Sequence, residues 1–316
     1  MNVNKLKPIR TMLFTNVRNE PNIKEWCIHH QLLGFDYICI FDHKSDIPLQ
    51  QKDFRFIPKL ANRIQIIPCN WKNPIKMPLM KQAVHIAKQL NIDWMLYLDA
   101  DEFLVLNSCS HIKQMLKIFN NADSLAINWL MFGSNNHIKE PSGYIIENYT
   151  KSDLYLNKHV KSFVRPNQVI NVTNPHFFHI KKSHKRISVQ GNRINHYQPE
   201  FNESACSIEY SKSHAYIAHY VFQSEETYNN RKLNLPRDDT GTFRTKDLDF
   251  HSKHNQVDNL LIKNKYLTNI KRFLEPLEPR EPREPLEPLE PLEPREPLEP
   301  LEPLEPLEPP ASTSFS

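Results

Sequence analysis

Asp99 and Asp101, in the run WMLYLDADEFL at 94–104, are the residues best equipped to do chemistry in this chain. The mostly apolar residues 94–98 read as a buried strand, which ends abruptly in Asp99-Ala100-Asp101-Glu102. Three carboxylates at a strand end repel one another and are costly to desolvate without a cation. Residues i and i+2 of an extended segment point the same way. Asp99 and Asp101 are therefore expected to converge on one hard divalent ion, Mn²⁺ or Mg²⁺, which prefers carboxylate oxygen. An ion held by few protein ligands keeps positions open for phosphate oxygens. It would neutralise the charge developing on a departing nucleoside diphosphate. A solvated acidic turn carries the same D-x-D pattern, so the surrounding elements must decide.

Those elements alternate. Thr11–Val17 reads as a strand, followed by a helix over 22–33 with Gly34 at its C-terminal cap. Strands are expected at 37–41 and 63–68, a helix at 77–90 with Pro78 in its first turn, and then the strand ending at Asp99. Ser110 is placed to cap a helix through Phe119, and 124–132 reads as a fifth strand. A last helix is expected near 258–266. Alternating strands and helices predict an α/β fold with a mainly parallel sheet flanked by helices. Ligands of such sheets bind outside the carboxyl ends of the strands. The polar residues obey that rule: Asn16, Arg18, Asn19 and Glu20 follow the first strand, and Asp42, Lys44, Ser45 and Asp46 follow the second. With Asp99 and Asp101, three strand ends are expected to meet at one crevice.

Composition narrows the partners. From residue 274 to 309 the chain is twelve Leu/Arg-Glu-Pro triplets, and 274–316 holds twelve Glu and three Arg, a net of −9. The whole chain carries +4, so residues 1–273 carry +13. Such a basic body suits phosphate-bearing ligands, nucleic acid or anionic membrane. Proline at every third position forbids helix in the tail, and isolated leucines cannot build a core. The tail is expected to be a disordered, polyproline-like spacer. Five scattered cysteines (Cys27, Cys39, Cys69, Cys109, Cys206), without a C-x-x-C pair, read as reduced thiols. MNVNKLKPIR lacks a following apolar segment, and no uncharged run approaches the ~18 residues of a membrane helix. The expectation is a soluble, cytoplasmic protein with no transmembrane segment. Only five glycines occur, and none forms a dinucleotide or Walker loop.

Several motifs in order resemble a known family. NVRNEPNIKEWCIHHQLLGFDYICIFDHKSD, MKQAVHIAKQLNIDWMLYLDADEFL, NWLMFGSNNH, VKSFVRP and AHYVFQSEETYNNRK are similar to GT-A fold glycosyltransferases, closest to the family-2-like and family-92-like enzymes with a D-x-D-E-F motif. The resemblance spans about residues 10–260. It implies a GT-A domain over 1–270, with a nucleotide-sugar-binding half at about 10–125 and an acceptor-side half at 126–270, ahead of the 271–316 tail. It also implies a nucleotide-sugar donor, a glycan, protein or lipid acceptor, and a divalent metal, Mn²⁺ or Mg²⁺. By the same resemblance Thr15, Asn16, Arg18 and Glu20 belong to a donor-binding loop. Asp42 touches the nucleoside, with Ser45 and Asp46 beside it. Asp99 and Asp101 hold metal and diphosphate, His219 adds a metal ligand, and Lys232 and Arg231 contact phosphate. The family's glycine-containing loop after FGS is here Ser134-Asn135-Asn136-His137, a departure on the acceptor side.

An inverting transfer needs a general base beside the acceptor hydroxyl, and the sequence leaves a retaining reaction open as well. Asp153, Glu147, Asp238 and Asp239 are candidates, and Asp238-Asp239 sit in a Pro/Gly-bounded loop suited to closing over the donor. Asp239 is assigned with Asp101 as catalytic. A zinc cluster at His176, His179 and His184 has loose spacing and no obvious fourth ligand. Two other classes compete. A nucleic-acid-binding protein leaves the acidic strand ends unexplained, and a nucleotidyltransferase would want a Gly-Ser phosphate loop.

Overall fold

Period-two burial organises the core. Strand β1 (Thr11–Val17) is buried along its whole length. Its residues Leu13 and Val17 pack with Trp26 and Ile28, whereas Met12 and Phe14 pack on the other side with Leu79, Met80 and Ala83. A strand buried on both faces reads as a continuous apolar run and belongs at the centre of a parallel sheet. The computed structural model describes residues 8–54, 62–181, 185–194 and 211–274, and all observations below concern these.

β1 is flanked in parallel by β2 (Tyr37–His43) and β4 (Trp94–Tyr97), and β3 (Ile64–Cys69) pairs in parallel with β2. Beyond β4 come β5 (Glu102–Leu106), β6 (Ser124–Met131), β7 (Val160–Val164), β8 (Arg186–Ser188) and β9 (Ala215–His219). The sheet runs β3-β2-β1-β4-β7-β6-β9-β5, with β8 also on β6. β7 pairs antiparallel with β4 and β6, and β9 is parallel to β6 but antiparallel to β5. Helices α1 (Ile23–Leu32), α3 (Ile112–Ile118) and α6 (Leu261–Leu274) contribute Trp26, Met115 and Ile270 to the core on one face, whereas α2 (Lys76–Gln89) covers the other. Two short helices, α4 (Ile145–Asn148) and α5 (Glu225–Tyr228), lie in the connections. The α/β class with a mainly parallel, helix-flanked sheet is therefore as expected.

Local differences have physical causes. His111, not Ser110, caps α3, its side chain accepting from Lys113 N. Gly34 closes α1 at φ +98°, and the His111 imidazole fills the space that a Cβ there would need. Strand β5 was not anticipated: the chain turns at Ala100-Asp101, and Glu102 opens a new buried strand at the far edge of the sheet. α6 runs through Leu274, past the 270 boundary expected for the folded domain. The repeat tail from residue 275, Cys206 and His184 lie outside the described residues. Cys27, Cys39, Cys69 and Cys109 are free thiols. No helix among the described residues is long and apolar enough to cross a membrane.

Glu25 joins α1 to α4 by accepting from the N–H groups of Ile145 (2.8 Å) and Ile146 (3.1 Å). Burial outweighs these bonds and pushes its carboxyl from 4.5 up to about 8. A raised carboxyl favours the fold below its unfolded value and loses that contribution as pH rises through the folded value. Stability is therefore expected to decline from about pH 5 to pH 8. The decline should be shallower in Glu25→Gln, as read by denaturant midpoints across that range. A parallel decline in both proteins would show that Glu25 does not titrate in this way.

Candidate active site

Where β1 and β4 end, a cleft is lined by Asn16, Arg18, Asp99 and Asp101. Trp129, Lys161, His176 and His219 form further wall, and the stretch from Arg231 to Arg244 contributes cations and acids from the other side. Three lysines (Lys76, Lys161, Lys232) and four arginines (Arg18, Arg231, Arg237, Arg244) line it, against four aspartates (Asp99, Asp101, Asp238, Asp239). Its charge balance is thus positive, suited to an anionic ligand.

Asp99 and Asp101 take different partners. The i, i+2 rule needs extended backbone, and here the chain turns between them. Asp99 faces two buried lysines: Lys76 donates to Oδ1, and Lys161 donates to Oδ2 at 2.9 Å. Burial pushes the Asp99 carboxyl up, but Lys161 and Lys76 prevail and hold it well below the usual carboxylate range. Lys76 also donates to Asn16 Oδ1 (2.9 Å), and Tyr97 OH donates to the same oxygen at 3.1 Å. Lys161 also lies 3.5 Å from Glu102. Glu102 itself is fully buried and accepts from Asp99 N at 2.9 Å; burial pushes it up to about 8 despite Lys161.

Asp101 has a different set of neighbours. Lys232 donates to Oδ2, and His219 Nε2 lies 3.7 Å from Oδ1. Against burial, Lys232 and His219 hold the Asp101 carboxyl down at about 2. Burial lowers His219 to about 4, so its imidazole is neutral at physiological pH. Asp101 Oδ1 and His219 Nδ1 are both buried without a hydrogen-bond partner. A buried carboxylate oxygen left unpaired costs about 1–3 kcal/mol, and a cation on that oxygen would remove the cost.

This donor set decides which residues suit a divalent ion. Among the described residues no three His, Cys, Asp or Glu side chains gather as a metal cluster. Asp101 Oδ1 is unfilled and faces His219 Nε2, whereas both oxygens of Asp99 accept from lysines. The residues present therefore fit an ion held by Asp101 and His219, with its remaining positions open to ligand oxygens. Of the three histidines considered for zinc, His184 lies outside the described residues. His176 lines the cleft with Nδ1 3.1 Å from Val160 O, whereas the His179 ring pairs with Thr173 Oγ1 at 2.6 Å.

Other expected residues divide between the cleft and its support. Glu20 is buried; it accepts from Arg231 and from Asn22 N (3.1 Å), and so holds the guanidinium at the cleft rather than facing ligand itself. Asp42 is absorbed by its own turn: Ser45 Oγ donates to it at 2.5 Å and Leu49 N at 2.8 Å. Asn19 ties that turn to the β1 loop through Ser45 Oγ (2.9 Å) and Asp46 (2.9 Å). Asp42, Ser45 and Thr15 are not among the lining residues, so the β1 and β4 ends form the cleft while the β2 end braces it. Of the four candidate bases, Asp153 pairs with His254 Nδ1 (2.8 Å) and Glu147 with Lys271 (3.1 Å), both off the cleft. Asp239 lines it, but the Arg237 fork takes both its oxygens at 2.8 and 2.6 Å. Asp238 also lines it and accepts from Asn16 Nδ2 through Oδ2 alone, at 2.6 Å.

Lys76 and Trp129 were not singled out from the sequence, and Lys161, which reads there with Lys151 and Lys158 as a solvated basic face, is instead buried on Asp99 and Glu102. Lys161 is 1 % exposed inside the apolar strand Val160–Val164, and an inward lysine in such a strand was the available signal. Trp129 lies among three imidazoles, stacked on His159 with centroids 5.4 Å apart and 5.0 and 4.4 Å from His176 and His219. That aromatic wall gives the cleft a less polar surface, with the Lys161 ammonium 5.9 Å from the Trp129 ring centroid.

Residues 11–249 match the profile described as Glycosyltransferase family 92. The Glycosyltransferase family 92 protein Os08g0121900 of Oryza sativa subsp. japonica is 26 % identical over 235 residues, 69 % of this chain and 38 % of that protein. The chain thus spans well under half of that relative's length. Among solved structures, S. aureus TarS 1–349 in complex with UDP is 14 % identical at a TM-score of 0.34, covering 51 % of this chain and 48 % of its own. S. aureus TarS gives the same identity and score over 29 % of its length.

Proposed function

Because the chain belongs to glycosyltransferase family 92, we propose that the cleft at the β1 and β4 ends transfers a sugar from a nucleoside-diphosphate donor to an acceptor hydroxyl. The observation that carries this reading is the buried, unpaired Oδ1 of Asp101, which faces His219 Nε2 at 3.7 Å inside a cation-rich cleft. The donor diphosphate lies against Arg18, Arg231 and Lys232, with Lys76 and Lys161 behind Asp99 adding positive charge. Arginine grips phosphate as a planar fork and lysine as a point charge. A divalent ion on Asp101 and His219, Mn²⁺ or Mg²⁺, would supply Lewis-acid stabilisation of the leaving diphosphate. Asp99 acts as the anchor that keeps Lys76 and Lys161 in place, rather than as a metal ligand.

Asp238 takes the proton from the acceptor hydroxyl, since Asp239 is consumed by Arg237. Trp129 and His176 form the wall against which the acceptor rests, an apolar surface with a polar tip. Asn16 aligns both halves: its amide nitrogen holds Asp238 and its amide oxygen receives Lys76 and Tyr97.

A panel of nucleotide sugars, each with and without Mn²⁺, tests the proposal by thermal shift and by release of nucleoside diphosphate. A donor at 100 times its Kd stabilises by about 2.7 kcal/mol, so one or a few members should raise the melting temperature, more so with Mn²⁺. No shift and no turnover with any of them would remove the proposal.

A further inference from the structure

We infer that Lys232 is an exchangeable counter-ion: it occupies Asp101 in the free protein, yields that carboxylate to the divalent ion, and moves to the donor diphosphate. This rests on the metal and donor placement proposed above and adds the order of events. Among the three lysines on the two aspartates, only Lys232 is free to leave. Lys76 and Lys161 side chains are 4 % and 2 % exposed, and each has a second polar partner in Asn16 or Glu102. The Lys232 side chain is 20 % exposed and sits on Asp101 Oδ2. It is carried by the π-helical turn Asn229–Leu233, a geometry that recurs at functional sites. Its neighbour Arg231 is anchored on buried Glu20. The turn thus stays docked while the flexible Lys232 stem swings.

The carboxylate gives the reason for exchange. Oδ2 faces the monovalent ammonium, and Oδ1 is buried without a hydrogen bond beside His219. Asp101 and His219 would hold a divalent ion that satisfied Oδ1 and supplied twice the charge. Lys232 would then be repelled from Asp101 and drawn to phosphate in the same cleft. Metal and diphosphate should therefore bind cooperatively, because each removes an obstacle to the other.

The test is Mn²⁺ binding to the nucleotide-free protein, read from the loss of the free-ion electron paramagnetic resonance signal. Wild type, Lys232→Met and Asp101→Asn are compared. Lys232→Met should bind Mn²⁺ about tenfold more tightly than wild type, equivalent to about 1.4 kcal/mol, and Asp101→Asn should bind none. Equal or weaker binding in Lys232→Met, with Asp101 still required, overturns the exchange and leaves the metal site standing. Binding that survives in Asp101→Asn, or is absent from wild type and Lys232→Met alike, overturns the exchange together with the metal placement.

Discussion

Asp101→Asn is expected to lower sugar transfer by roughly 10²–10³-fold, the loss typical when a group stabilising developing charge is removed. The substitution keeps the shape of the side chain and removes the charge that faces Lys232 and His219. Melting temperature should change far less than activity, because the fold at this point is held by the main chain: Tyr220 N donates to Asp101 O at 2.9 Å. Asp99→Asn should behave differently. It releases Lys76 and Lys161, so nucleoside diphosphate binding weakens while Mn²⁺ binding to the free protein persists. Equal loss of Mn²⁺ binding in the two variants would mean that both carboxylates hold the ion.

The second large effect is expected at Asp238. Loss of a positioned general base costs about 10²–10⁴-fold, so Asp238→Asn should reduce kcat by that order and leave donor binding nearly intact. Asp239→Asn should cost much less, because that carboxylate already serves Arg237. Measuring kcat and donor KM for both variants separates the two neighbours. A larger kcat loss at Asp239 would return the proton-accepting role to the residue first assigned from the sequence.

The parallel half of the fold was legible because its strands are short apolar runs and its helices carry clear stripes. The Thr11–Val17 strand was placed to the residue. Strand β5 was not, because Glu102 and its neighbours read as the tail of an acidic turn. Only the tertiary pairing with Ala215–His219 makes Glu102–Leu106 a strand. The same turn gives Asp99 and Asp101 different partners: the alternation rule holds for extended chain, and the chain bends one residue later. Family resemblance alone put His219 with Asp101 in the sequence; the physical reason is the register of β9 against β5, where His219 lies opposite Glu102. Asp42 looked like a ligand group because it follows an apolar strand, yet Ser45 and Leu49 satisfy it locally. Spacing shows where carboxylates occur, but not which lysine, 62 or 131 residues away, will claim them.

The central claim is that one ion and one diphosphate meet between Asp101 and His219. Crystals of the protein grown with Mn²⁺ and the nucleoside diphosphate selected by the donor panel test it through an anomalous difference map. The expected result is a single manganese peak bounded by the Asp101 carboxylate, the His219 ring and the diphosphate, with Asp99 still on Lys76 and Lys161. A manganese peak on Asp99, or a nucleotide bound away from the β1 and β4 ends, would contradict the account.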